Sequence, residues 1–154
     1  MKKIKVVKEG YEPLREDVKA ANRQATGKQT PSSRMLRKLQ AELTSGEQLM
    51  AMSPARVQTF AGDFEEGLLA VTTERMLTIR LGRRPRWMYA GDEVASWSVR
   101  DIVQVVKADS WMLFGWTTLI IQLAHSSPVT YEVQESDLEW LAGELEHARH
   151  LKRR

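Results

Sequence analysis

The chain contains no cysteine. That excludes a disulfide framework and any thiolate metal site, and it argues against secretion as a stapled domain. Histidine is nearly as scarce, with only His125, His147 and His150 in 154 residues. Long hydrophobic runs are missing too: the most apolar stretch, from Trp111 to Ala124, is broken by Gly115, Thr117, Thr118 and Gln122. It is too short and too polar to cross a bilayer. The opening Met-Lys-Lys-Ile-Lys-Val-Val-Lys-Glu-Gly brings lysines without a long apolar segment behind them, so no signal peptide is expected. A cytoplasmic location is expected, with the inner face of the membrane as the alternative of peripheral association.

What is present is an ordinary globular composition, 42% hydrophobic and 28% charged, long enough for one domain with an extension. The net charge of +3 hides a division. Residues 1–40 hold eleven Lys/Arg against four Asp/Glu, or +7, and residues 41–154 hold twelve against sixteen, or −4. The start of the chain is therefore a basic arm on a mildly acidic body. Such an arm can hold nucleic acid, anionic lipid or an acidic protein patch, and its sign does not choose among them.

Helical spacing appears at both ends. Glu12-Pro13 is expected to open a short helix with Tyr11, Leu14, Val18 and Ala21 on one face, ended by the linker-like stretch Ala25 to Pro31. Residues 1–31 are read as an extension that buries little apolar surface, and residues 32–154 as the domain. A leading helix is expected over 32–45, capped by Ser32 or Ser33, with Leu36, Leu39 and Leu43 as its stripe and Gly46 at its stop. A capping helix is expected over 136–152. Ser136-x-x-Glu139 has the capping-box spacing, and Leu138, Leu141, Ala142 and Leu145 follow at i, i+3, i+4 and i+7.

Between these helices, over about 47–134, the period is twofold. Leu77, Ile79 and Leu81 alternate with Met76, Thr78 and Arg80; Leu119, Ile121 and Leu123 form one face of a second segment; Val129, Tyr131 and Val133 form one face of a third. Alternation of this kind predicts half-buried antiparallel strands. Glu47–Ser53, Gly67–Thr73, Glu93–Arg100 and Asp101–Lys107 are four further candidates, and seven short strands joined by turns predict a barrel or sandwich.

Four local sequences, in this order, carry a resemblance. Gly46-Glu47 enters the first strand. Gly67-Leu-Leu-Ala-Val-Thr-Thr-Glu-Arg-Met-Leu-Thr-Ile79 is similar to a second and third strand joined by a Thr-x-x-Arg turn. Val99-Arg100-Asp101-Ile102 leads into the fifth, and Leu113-Phe114-Gly115 with Thr118–Ile121 leads into the sixth. Over about residues 35–150 the chain resembles the bacterial pleckstrin-homology-like (PH-like) domains. The resemblance implies a mostly β fold with helices: a bent seven-stranded barrel or sandwich capped by a C-terminal amphipathic helix. It implies a binding or assembly module with no shared active site, and fold analogy does not name the ligand.

The chemistry points the same way. His125 sits in an Ala-His-Ser-Ser-Pro turn, and His147 and His150 end a charged helix with no third ligand at a recognisable spacing. Glu65-Glu66 and Glu132/Glu135 read as surface carboxylates with nothing pairing them for acid–base work. No glycine-rich phosphate loop occurs. No enzyme activity, cofactor, metal or small-molecule substrate is expected.

Two segments are candidate binding elements. Arg80, Arg83, Arg84, Arg86 and Trp87 fall in the link between strands three and four, where arginine forks suit phosphate oxygens of an anionic lipid. The companion basic signature of lipid-binding PH domains is absent from Pro54–Glu66, read here as the link between strands one and two. The other candidate is Trp111, Met112, Leu113 and Phe114, more apolar than a polar turn requires and suited to a protein contact. Trp116 is expected to pack at the start of the sixth strand, with Trp111 exposed. The leading expectation is a non-enzymatic adaptor that binds an unidentified protein or itself and can oligomerise. Peripheral binding to anionic membrane comes second, and nucleic-acid binding by the arm third.

Overall fold

The computed structural model describes residues 13–25, 31–58, 64–80, 93–108 and 115–152. The elements run α1 (Glu16–Gln24), α2 (Ser33–Glu42), β1 (Leu49–Gln58), β2 (Phe64–Thr72), β3 (Arg75–Arg80), β4 (Glu93–Ser98), β5 (Ile102–Ala108), β6 (Trp116–Leu123), β7 (Val129–Gln134) and α3 (Glu135–Lys152). The strands make one antiparallel sheet in the order β4-β3-β2-β1-β7-β6-β5. Its two end strands are joined by a single 3-10 turn, Val99–Asp101, and form no ladder with each other among the described residues. The sheet is therefore bent but not closed.

Two cores lie on opposite faces of this sheet. The inner one joins Val71, Ile102, Leu119, Ile121, Tyr131 and Val133 to Leu141, Leu145 and Ala148 of α3, all fully buried. The C-terminal helix thus caps the concave face as its apolar spacing predicts. Across the middle of the molecule, Thr78 of β3 and Tyr131 of β7 share a hydrogen bond of 2.7 Å. Burial pushes the Tyr131 hydroxyl pKa up and the Thr78 contact offsets this only in part, so the hydroxyl stays protonated.

The second core is on the outer face. Val18 and Ala21 of α1 and Leu36 and Leu39 of α2 pack on Leu49, Met52, Leu68, Ala70, Leu77 and Ile79. This corrects two expectations. Strand β3 is not half-buried: Met76, Leu77, Thr78 and Ile79 are all buried, because α1 and α2 cover its outer face while Met76 joins the inner core and Thr78 meets Tyr131 of β7 on the other. Residues 1–31 do bury apolar surface, since Val18 is fully buried and Ala21 nearly so. A close approach of β2 to β3 belongs to the same packing, where a Cβ added to Gly67 would lie 2.5 Å from the Ile79 carbonyl oxygen.

Polar contacts hold α1 in place. Asp17 accepts from the Leu49 N–H at 2.8 Å and from Arg15, while the Arg15 guanidinium donates to the carbonyls of Thr44 and Glu47. The Arg15 N–H bonds the Gln40 side chain, which itself donates to the Pro13 carbonyl. Helix α1 accordingly starts at Glu16, beyond Pro13, with Arg15 as its cap residue. Tyr11 lies outside the described residues. Next to this latch, Glu47 is buried and bound by Arg75, Thr72 and the Thr44 N–H. Burial alone would raise its pKa, but these hydrogen bonds and the Arg75 charge outweigh it and hold the carboxyl below the ordinary range.

The remaining corrections concern boundaries. Ser32 caps α2, its hydroxyl oxygen accepting the Met35 N–H at 3.2 Å, and the helix stops at Glu42 with Leu43 as its cap, short of Gly46. Strand β1 continues through Pro54 to Gln58 and β2 starts at Phe64, so most of Pro54–Glu66 is strand. The capping box does not form. Helix α3 begins at Glu135, placing Ser136 inside it, and Glu139 bonds Lys107 of β5 at 2.9 Å. Buried Asp137 instead accepts the Ser53 hydroxyl at 2.7 Å, tying the first turn of α3 to β1.

Candidate binding site

Strand β1 ends at Gln58, β3 ends at Arg80, β4 begins at Glu93, and β7 begins at Val129 opposite the end of β1. These ends gather at one end of the bent sheet, and there the two halves diverge beyond the Thr78–Tyr131 bond. The gap is a cleft of about 840 Å³. Its apolar walls include Val57, Ala95, Trp97, Pro128 and Val129, with Ser126, Ser127 and Thr130 on the hairpin side. Clefts of this size and character suit ligands or the side chains of a partner.

Arg80 is the cation among the described lining residues. Its guanidinium donates to Glu65 at 2.9 Å and is also paired with Glu93. The charge is thus shared between two carboxylates at the mouth of the cleft. Thr78 is committed to Tyr131.

Of the sequence-derived candidates, Arg80 is brought to this cleft. Arg83, Arg84, Arg86 and Trp87 lie outside the described residues, as do Trp111, Met112, Leu113 and Phe114. Trp116 begins β6 and is half-buried, with the Arg56 guanidinium 5.6 Å from its ring centroid. His125 is exposed in the β6–β7 hairpin, and His147 and His150 are exposed on α3 beside Glu144 and Glu146. Among the described residues no three His, Asp or Glu side chains gather as a metal-ligating group. No described helix is long and apolar enough to cross a membrane.

The reading of the sequence missed Ala95, Trp97, Pro128 and Val129 as one wall. They come from segments more than thirty positions apart, and no local spacing links them. Trp97, the one large aromatic of β4, was the available signal.

No family model and no curated protein matches the chain. Solved structures do. A protein with a pleckstrin-homology domain from Shewanella loihica is 10% identical, with a TM-score of 0.55, covering 81% of this chain and 98% of its own. The hSac2 domain of the human phosphoinositide phosphatase Sac2 is also 10% identical, with a TM-score of 0.56 and coverage of 78% and 81%. A pleckstrin-homology domain from Shewanella amazonensis is 14% identical, with a TM-score of 0.50 and coverage of 75% and 86%. At such identities the likeness is one of fold. Strand order, the α3 cap and these neighbours agree: the chain has the pleckstrin-homology-like fold.

Proposed function

We propose that this protein is a non-enzymatic protein-binding module, an adaptor that works through the open end of its bent sheet. The observation carrying this reading is the character of the cleft: its walls are largely apolar, and its described cation, Arg80, is already held by Glu65 and Glu93. A phosphate would have to compete with two carboxylates for that guanidinium, whereas apolar side chains of a protein partner need no such exchange.

Peripheral binding to anionic membrane is the second reading. It is favoured by the placement of the arginine-rich link, which leaves β3 at Arg80 and rejoins β4 at Glu93, both on the cleft. Salt separates the two, because phosphate-driven association weakens steeply with ionic strength and an apolar contact does not. The test is cosedimentation of the full chain with phosphatidylserine and with phosphatidylcholine vesicles, beside cross-linking in the native cell at low and high salt. Equal recovery on both vesicles with salt-resistant cross-links to protein supports the adaptor. Salt-sensitive recovery on the anionic vesicles alone would replace it with the membrane reading.

A further inference from the structure

Every interior strand of the sheet has a ladder neighbour on each side, though β1 meets β7 only over Ala55–Val57, whereas β4 and β5 each keep one edge without a ladder partner among the described residues. Natural sheets blunt such edges with lysine, proline or bulges, because a free row of N–H and C=O groups templates another strand. The β5 edge carries these devices: its register breaks between Ile102 and Gln104, and Lys107 is tied to Glu139 of α3. The β4 edge does not. Its sequence, Glu93-Val-Ala-Ser-Trp-Ser98, has neither lysine nor proline, and it pairs with β3 in unbroken register from Arg75↔Ser98 to Arg80↔Glu93. Glu93, Ala95, Ser96 and Ser98 of this strand are exposed.

We propose that the free edge of β4 is a docking site for an extended peptide segment of another protein, added as an eighth strand. The proposal rests on the protein-binding reading and names its site and the form of the ligand. Main-chain hydrogen bonds to β4 would supply the attachment, and the cleft the selectivity. Ala95 and Trp97 line the cleft on the same face of β4 as Glu93, across from Pro128 and Val129. A strand laid about 4.8 Å beyond β4 would point alternate side chains into that space, and six residues would span about 20 Å. Apolar residues fit the walls at those alternate positions. Glu93 is the single charged residue of β4, is about half exposed (53%), and shares one guanidinium with Glu65. A lysine or arginine where the segment passes Glu93 completes the match in charge.

The probe is a random peptide display library selected on the full chain. The bound peptides are then located by hydrogen exchange and titrated against Glu93→Lys and Ala95→Arg, with urea unfolding as the check that each variant folds. The expected result is enrichment of peptides with alternating apolar residues and one Lys or Arg. They should slow exchange at Val94–Trp97, and Glu93→Lys should weaken their binding by about tenfold. Selected peptides that protect β5 or the outer face of β5–β7 would overturn the β4 site while leaving the protein-binding reading standing. Concentration-dependent self-association that protects β4 without any peptide would make a second copy the occupant and overturn the proposal. Failure of any peptide to bind, together with recovery on anionic vesicles, would overturn both.

Discussion

The outer face of β1–β3 is sealed by α1 and α2, whereas the outer face of β5–β7 meets no helix among the described residues. On the first face Leu39, Met52, Leu68, Leu77 and Ile79 are fully buried. On the second, Val106, Trp116, Thr118 and Ile120 are half-buried and Gln104 and Gln122 exposed. The same twofold alternation therefore has different meanings in the two halves. A polar or half-polar outer row, as in β6, can face water. An outer row of Leu68, Ala70, Leu77 and Ile79 cannot, and two short amphipathic helices answer it.

The widest expected gap between the two faces comes from truncating a side chain on each. Leu39→Ala should lower the free energy of unfolding by about 2–5 kcal/mol, since Leu39 is fully buried between α2 and the sheet. Ile120→Ala should cost about 1 kcal/mol or less, because its side chain already meets solvent. Equal shifts in urea unfolding midpoints would show that the second face is covered as well.

Glu47→Gln tests the ion pair at the base of the sealed face. Removing one partner of a buried pair leaves the other charge poorly matched, and because Arg75 keeps some solvent the expected loss is about 2–4 kcal/mol at neutral pH. The pH dependence gives the sharper outcome. Folding lowers the Glu47 pKa, so the folded state binds fewer protons than the unfolded chain in the acid range. Its stabilisation is complete above the ordinary carboxylate pKa and is lost as pH falls through the lowered folded value. Urea titrations across that window should show a shallower acid loss for Glu47→Gln than for the parent.

Asp17→Ala removes the acceptor for the Leu49 N–H and the partner of Arg15. The expected cost is about 1–3 kcal/mol, accompanied by faster hydrogen exchange in α1. Unchanged exchange there would mean that the apolar contacts of Val18 and Ala21 alone hold the helix.

The smallest effect is expected on the bare face. Arg56→Gln breaks the contact with the Trp116 ring and a 3.8 Å pair with Glu132. Both groups are partly solvated, so the loss should stay near 0.5–1 kcal/mol. A larger shift in the unfolding midpoint would show Arg56 to be a structural part of that half.

Much of the fold was legible because its signals are local. Alternation located β3, β6 and β7 to within two residues, and the spacing of Leu141 and Leu145 identified the helix that fills the concave face. The capping box misled, because α3 begins at Glu135, with Ser136 already inside it, and Glu139 was claimed by Lys107 of β5. The cleft was legible only at Arg80. Its other walls are assembled by strand order, and even Arg80 changes meaning once Glu65 and Glu93 stand beside it.

By itself the sequence determined the number and period of the elements, the apolar stripe of each helix and the basic character of the N-terminal arm, since these depend on residues a few positions apart. Tertiary structure decided which strands are buried on both faces, where α1 docks, that Arg80 is paired with Glu65 and Glu93, and that β4 has a single ladder neighbour among the described residues. Each depends on groups distant in sequence meeting across the bent sheet. Helix α1 shows the reason: Leu14, Val18 and Ala21 make a stripe too short to declare a core, until Leu39, Leu49 and Met52 arrive to complete it.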